Sequence, residues 1–227
     1  MRLLIWFLVV VVCAGCASST SQTVESTQDS APIIELSSPS LQGDLSLEEA
    51  MASRRSVREY GESSLRMDEL SQLLWAAQGV TAASGGRTAP SAGGLYPLEV
   101  YVVTAEGAHR YVPDGHYLET LNDADLRIEL MRAGLDQSAI GDAAAVFVIA
   151  GIVSRTEAKY GGRAERYVIL EAGHAAQNLL LQAVVLGLGA VPIGAFRDDE
   201  VQGTLALPDG SQPLYLIPVG RLASQDQ

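Results

Sequence analysis

The sequence predicts an α+β fold, and three observations predict it. Tyr167 to Leu186 carries no proline and is apolar on nearly every side, the pattern of a helix buried on most faces. Ala143–Val153 is a near-continuous apolar run rich in Val and Ile, bounded by Gly141 and Ser154, and reads as a buried central strand. The helical and extended stretches do not alternate as regular β-α units, and the helical ones outnumber the strands, which argues against a doubly wound parallel sheet.

The chain of 227 residues opens with Arg2, the apolar run Leu3–Val12 and small residues before Cys16. This is the pattern of a signal sequence over 1–15. The run is shorter than the roughly 20 apolar residues that a membrane span needs. Cys-Ala-Gly-Cys at 13–16 resembles a bacterial lipobox with Cys16 as the lipidated residue, although Cys13 stands where Leu is usual; an ordinary secretory signal is the alternative. The expectation is an envelope lipoprotein held to a membrane only through its lipid. No cysteine follows Cys16, so no disulfide is expected. The three histidines, His109, His116 and His174, are not paired at ligand spacing, so no metal site is expected. The formal net charge of −12 disfavours nucleic acid and anionic lipid as partners.

Residues 16–46 are rich in Ser, Thr, Gln and Pro, with acidic but no basic residues, and read as a disordered tether. Residues 47–221 are one domain's length, followed by a short tail, 222–227. Ser46 and Glu49 fit a capping box that opens a short helix to about Ser53. Met67–Gln78 is amphipathic through Met67, Leu70, Leu73, Leu74 and Ala77, and Gly79 closes it. Thr81–Tyr96 reads as a loop rich in Gly, Ser and Ala. Leu98–Val103 alternates and is β-branched, as a strand does. Asn122–Arg132 is helical in pattern, with Asn122 or Asp123 as its cap. Ser154–Arg166, with Gly161 and Gly162, reads as a mobile loop. Gly187, Gly189 and Pro192 end the long helix, and Leu214–Val219 is a last short strand.

Four polar residues of the long helix, Glu171, His174, Asn178 and Gln182, fall within a stripe of roughly 80° at about 100° per residue. The stripe is either a solvent face or satisfied core polarity, or it backs a cofactor site or a subunit contact. Arg54, Arg55 and Arg58 place three guanidinium groups around Ser56. Guanidinium forks bind phosphate oxygens in pairs and a hydroxyl adds a donor, though a solvated basic turn has the same composition. Pro90–Pro97, with Ser91, Gly93 and Gly94, precedes a strand, and its paired glycines suit either a flat ligand or an ordinary tight turn. It is neither a phosphate-binding GK[ST] loop nor a GxGxxG fingerprint.

Together these stretches resemble the nitroreductase superfamily of FMN enzymes. The blocks RRSVR at 54–58, PSAGGLYPLEVYVV at 90–103, EAGHAAQNLLLQAVVLGLG at 171–189, VPIGAF at 191–196 and VGR at 219–221 occur in that family's order, across the whole expected domain. The resemblance implies a nitroreductase-like α+β fold, a central mixed or antiparallel sheet flanked by helices, and a homodimer with FMN at its interface. By motif position, Arg54, Ser56 and Arg58 would hold the phosphate and ribityl chain, with Arg55 close by and Arg221 adding to the phosphate site. Ser91, Gly93 and Gly94, with Pro192, Ile193 and Gly194, would line the flavin ring. Gly94 stands where many nitroreductases have Asn, and Gly194 where many have Glu, so both positions offer backbone groups only.

Within the family, PSAGGLYP, LEAGHAAQN and the pair Lys159-Tyr160 resemble the SagB-type dehydrogenases, which oxidise thiazoline and oxazoline rings in peptides. Such a reaction needs a base for a carbon-bound proton. Lysine suits that role because an ammonium near apolar surface can have its pKa lowered, whereas a guanidinium stays charged. Lys159, with Tyr160 as its neighbour, is the candidate; a solvated lysine is the plain reading. The expected function is thus an FMN-dependent oxidoreductase acting on a small-molecule or peptide substrate. The alternatives are an NAD(P)H-dependent nitro or quinone reductase, or a lipoprotein that binds flavin without catalysis.

Overall fold

The computed structural model describes residues 32–223. The expected signal sequence, Cys16 and residues 16–31 of the expected tether lie outside them. The strands are β1 (Ile33–Glu35), β2 (Tyr60–Gly61), β3 (Leu98–Thr104), β4 (Gly107–Val112), β5 (Tyr117–Asn122), β6 (Ala145–Ile152), β7 (Leu188–Ala190) and β8 (Ser211–Leu222). The helices are α1 (Leu47–Ser53), α2 (Met67–Gln78), α3 (Arg127–Ala133), α4 (Ser138–Gly141), α5 (Ser154–Tyr160), α6 (Ala164–Val185) and α7 (Asp198–Leu205). All named strand pairs are antiparallel, in the order β1-β5-β4-β3-β6-β8-β2, with β7 also on β8. The α+β class stands: seven α-helices and two 3-10 turns lie beside eight strands among the described residues, without regular β-α alternation.

The sheet is covered on both faces, which explains why β6 reads as one unbroken apolar run. Val100, Val102, Phe147, Ile149, Ile217 and Val219 pack under α2 and α6. Their sequence neighbours Tyr101, Val103, Val146, Val148 and Leu216 pack against Leu130, Ile140, Val201 and Leu205 of α3, α4 and α7. The long helix is the spine of the first face: Val168, Ala172, Ala175, Ala176, Leu179, Leu180 and Ala183 are all buried. It ends as its sequence signals, with Gly187 at φ +68 just past the last turn. The capping box at Ser46 is present, and α2 begins and ends where its pattern places it.

Four expectations are corrected. Residues 33–46, though mostly exposed, are tied to the domain at two points: Ile33–Glu35 pairs with Tyr117–Glu119, and Gln72 exchanges hydrogen bonds of 2.8 and 3.0 Å with the Ser40 backbone, which a disordered tether would not do. Those partners come from distant elements, so composition alone did not show them. The hairpin β4–β5 lies where no strand was expected, and Asn122 closes β5 instead of capping a helix. Its side chain accepts the Ala124 N–H at 2.8 Å, and the helix starts only at Arg127, where Asp125 accepts the N–H at 3.1 Å. The segment 154–166 is not a loop: α5 and a 3-10 turn, Gly161–Arg163, fill it. Finally, β8 runs past the expected boundary, since Leu222 pairs with Tyr60.

Candidate active site

The loop before β3 is held in one conformation from within. Gly93 and Gly94 take φ values of +65 and +66, which side chains rarely adopt. Ser91 organises the turn around them: its carbonyl accepts the Gly94 N–H at 3.1 Å and its Oγ accepts the Tyr96 N–H at 2.9 Å. Gly93 is also needed for space. A Cβ there would lie 2.8 Å from Lys159 Nζ and 2.8 Å from Tyr160 Oη. The expected catalytic pair and the expected ring-lining loop, more than sixty residues apart in sequence, are therefore in direct contact. A Cβ on Gly94 would meet nothing within 4 Å, so the space beside it is open.

Helix α5 delivers the pair. Arg155, one turn before Lys159, reaches Glu99 at 2.6 Å, and Glu99 takes Arg110 on its other oxygen at 3.2 Å. Tyr160 packs edge-on against Tyr167 with ring centroids 4.9 Å apart, and Lys159 Nζ sits 5.6 Å from the Tyr160 centroid. Lys159 is exposed and makes no ion pair among the described residues.

The arginine turn joins the sheet elsewhere. Ser56 bridges to Ala190, and the Val57 N–H donates to the Ala190 carbonyl at 3.0 Å. A Cβ on Gly189 would lie 2.6 Å from Val57 and one on Gly220 within 2.8 Å of Tyr60, so 54–60, 188–194 and 219–221 are pressed together. Arg54 and Arg58 pair with no carboxylate among the described residues, and the Ser56 hydroxyl is exposed. Arg55 differs: its guanidinium donates to the Ala52 and Arg54 carbonyls at 2.9 and 2.8 Å, capping the end of α1. Pro192 is half-buried and Gly194 is exposed with open space beside it.

Two expected ligand contacts are occupied otherwise. Arg221 forms a two-pronged pair with buried Glu69, 2.7 Å on each oxygen, so it is a structural arginine here. Ile193 is buried in the core, and both its backbone groups bond to Leu216, at 2.8 and 2.9 Å. Ile193 was expected to line the flavin ring, but an antiparallel bridge to Leu216 turns this side chain inward.

The loop and the arginine turn are not brought together within the chain. The loop enters the sheet at Leu98, opposite Gly151 of β6, whereas the arginine turn joins it through Ala190, opposite Val219, which faces Ala145. Six residues of strand separate those two positions on β6, about 20 Å at 3.3 Å per residue.

Behind the loop lies polarity that the sequence hinted at only through the stripe. Glu171 is 2% exposed, while His174 is exposed. Asn178 donates to the Thr88 carbonyl at 3.2 Å, and Gln182 accepts from Gln72 at 3.2 Å, so two of the four stripe residues are half-buried and hydrogen-bonded. Burial pushes the Glu171 carboxyl up to about 7, against the opposing pull of the Ser91 hydroxyl, Arg87 and the Gln78 amide. Arg87 lies over the Tyr96 ring, 4.5 Å from its centroid, and donates to Gln78 Oε1 at 2.9 Å. Neither Arg87 nor Gln78 stood out in the sequence: one is a lone arginine in a Gly/Ser loop, the other the end of a helix.

The nitroreductase family profile matches residues 51–221. A candidate nitroreductase of Methanocaldococcus jannaschii is 43% identical over 194 residues, covering 83% of this chain and 96% of its own. A solved candidate nitroreductase of Ralstonia eutropha shares 32% identity at a TM-score of 0.77, over 85% of this chain and 90% of its own. A chain of the E. coli microcin synthetase complex McbBCD has the same fold at a TM-score of 0.66 and 21% identity, over 93% of this chain and 85% of its own. The matched residues span both halves of the site just described and nearly all of the sheet, and the chain belongs to the nitroreductase family.

Proposed function

We propose that the chain is an FMN-dependent oxidoreductase of the SagB-like kind, completed by a second copy of itself. The observation that carries the reading is the contact of Lys159 and Tyr160 with Gly93. The residues present fit the flavin. Arg54, Arg58 and Ser56 are uncommitted donors suited to a phosphate. Gly94 and Gly194 leave open space with bare backbone for a flat ring. FMN, when bound, supplies the electron chemistry, and the protein orients it. Ser91 and Gly94 would position the ring's edge and Arg54 and Arg58 would hold the phosphate, while the neutral Lys159 amine would take a carbon-bound proton from the substrate and become an ammonium beside Tyr160.

A second copy is invoked because the loop and the arginine turn stand about 20 Å apart along β6 in one protomer. A groove of about 380 Å³ between the 40–47 segment, α2 and α6 offers that copy an apolar seat lined by Leu41, Leu45, Trp75, Leu181 and Val185. Exposed Leu47, Met51, Ile169 and Leu170 extend the apolar surface.

The test is flavin affinity. Charged hydrogen bonds contribute about 1.5–3 kcal/mol each, so Arg54→Ala with Arg58→Ala weakens FMN binding by roughly 100-fold or more. Unchanged affinity in the folded double variant removes these residues from the phosphate site. A colourless protein that takes up no flavin sinks the whole reading. A second reading is an NAD(P)H-dependent nitro or quinone reductase, of which the nitroreductase part is supported by the 43% identical candidate nitroreductase. Turnover of NAD(P)H with nitroarene or quinone acceptors, without oxidation of an azoline peptide, selects it.

A further inference from the structure

The Glu171 carboxyl is the one buried acid behind the loop, and it is incompletely satisfied. Its Oε1 completes no hydrogen bond among the described residues, and neither does Nε2 of the fully buried Gln78 that faces it. The Ser91 hydroxyl faces it from the other side. That hydroxyl oxygen already accepts the Tyr96 N–H, so its single proton is what it has left to give. Arg87 fixes the Gln78 amide from its far side, and its own N–H donates to Tyr96 Oη at 3.2 Å. Glu171, Ser91, Tyr96, Arg87 and Gln78 thus form a ring of five neighbouring residues at the loop that carries Gly93 and Gly94, linked in part through the backbone N–H groups of Tyr96 and Arg87.

Few charges bear on this ring. Arg87 is the cation nearest Glu171, one residue removed behind Gln78, and it also feels Tyr96, Glu99 and Tyr111. His174, one turn further along α6, is exposed. The sheet beneath α6 contributes apolar Leu98, Val100 and Phe147.

We propose that Glu171 is a positioning residue of the flavin loop, acting through the Ser91 hydroxyl, so that flavin binding is linked to the proton on Glu171. Facing a carboxylate, Ser91 directs its proton back at Glu171 and away from the ligand. Facing a carboxylic acid, it is released to donate forward. Flavin is therefore favoured when Glu171 is protonated. Burial supports the linkage, since it holds the carboxyl near neutrality, where the proton exchanges under working conditions.

The inference rests on the flavin reading, and the experiment separates the two. The dissociation constant of FMN is measured for the parent, Glu171→Gln and Ser91→Ala from about pH 6 to about pH 8.5, which brackets the carboxyl. Titration of the FMN phosphate is common to all three and cancels in their ratios. The parent is expected to lose about tenfold in affinity relative to Glu171→Gln as pH rises through this range, and Ser91→Ala to lose the pH dependence with it. A role in packing alone shifts affinity equally at every pH. A ratio that stays constant, or a Ser91→Ala protein that keeps the parent's dependence, overturns the inference and leaves the flavin reading intact. Should Glu171→Gln fail to fold, Ser91→Ala against the parent decides it. A parent that binds no FMN at any pH overturns both.

Discussion

Lys159 is the only lysine in the chain, and its neighbours decide what it does more than its own chemistry. The loop's bare Gly93 backbone lets its ammonium and the Tyr160 hydroxyl close on the same point. If it is the base, Lys159→Ala and Lys159→Arg both keep flavin, while substrate oxidation falls by about 10²–10⁴-fold. Lys159→Arg oxidising at the parent rate removes the role, since a guanidinium does not release its proton at usable pH. Arg221 makes the opposite case. Its pair with Glu69 predicts that Arg221→Ala destabilises the flavin-free protein by about 1–3 kcal/mol, because a buried carboxylate loses two charged donors and keeps only those of Arg66. Thermal unfolding without ligand checks it: an arginine reserved for phosphate leaves that transition unmoved. The residue types were legible in the sequence, but their partners were not. Nothing near position 221 announces a carboxylate at position 69.

At the scale of elements, strong period and strong punctuation were read correctly. Met67–Gln78 has both, and so does the long helix. The β4–β5 hairpin had its own signal, Pro113-Asp114-Gly115 between two extended runs, with Gly115 at φ +102. Its strands carry His109, Arg110, Glu119 and Thr120, which blur the alternation, because cross-strand pairing with partners such as Arg110–Glu119 at 2.6 Å sustains it instead. Helix α5 was hidden by the two glycines after it. It is held by tertiary contacts, Arg155 to Glu99 and Tyr160 to Tyr167, and its seven residues are too few to be helical by propensity alone. The contact between α5 and the loop predicts the effect of Gly93→Ala. The left-handed backbone costs about 1–2 kcal/mol. The new methyl would also overlap Lys159 and Tyr160, so stability falls by at least that cost, and the tyrosine fluorescence of α5 changes with it. A Gly93→Ala protein as stable as the parent shows that position 93 does not keep its left-handed backbone in solution, and unchanged tyrosine fluorescence shows that the loop and α5 do not touch.

At the scale of the molecule, the prediction is a dimer. Light scattering on the described domain at micromolar concentration is expected to give twice the monomer mass, and a flavin-loaded monomer contradicts the composite site. What the sequence determined by itself is the set of parts: the spine helix, the central strand, the guanidinium cluster, the glycine loop and the family. Each rests on local periodicity, capping or a run of side-chain chemistry that no distant residue has to complete. What only the tertiary structure decided is assembly. It put Lys159 against Gly93, Arg221 on Glu69, Ile193 in the core and Glu171 behind Ser91, and it set the arginine turn and the loop at opposite ends of β6. The reason is physical: buried polar groups take whichever partner strand register brings within reach, and register is set by packing both sheet faces across the whole chain.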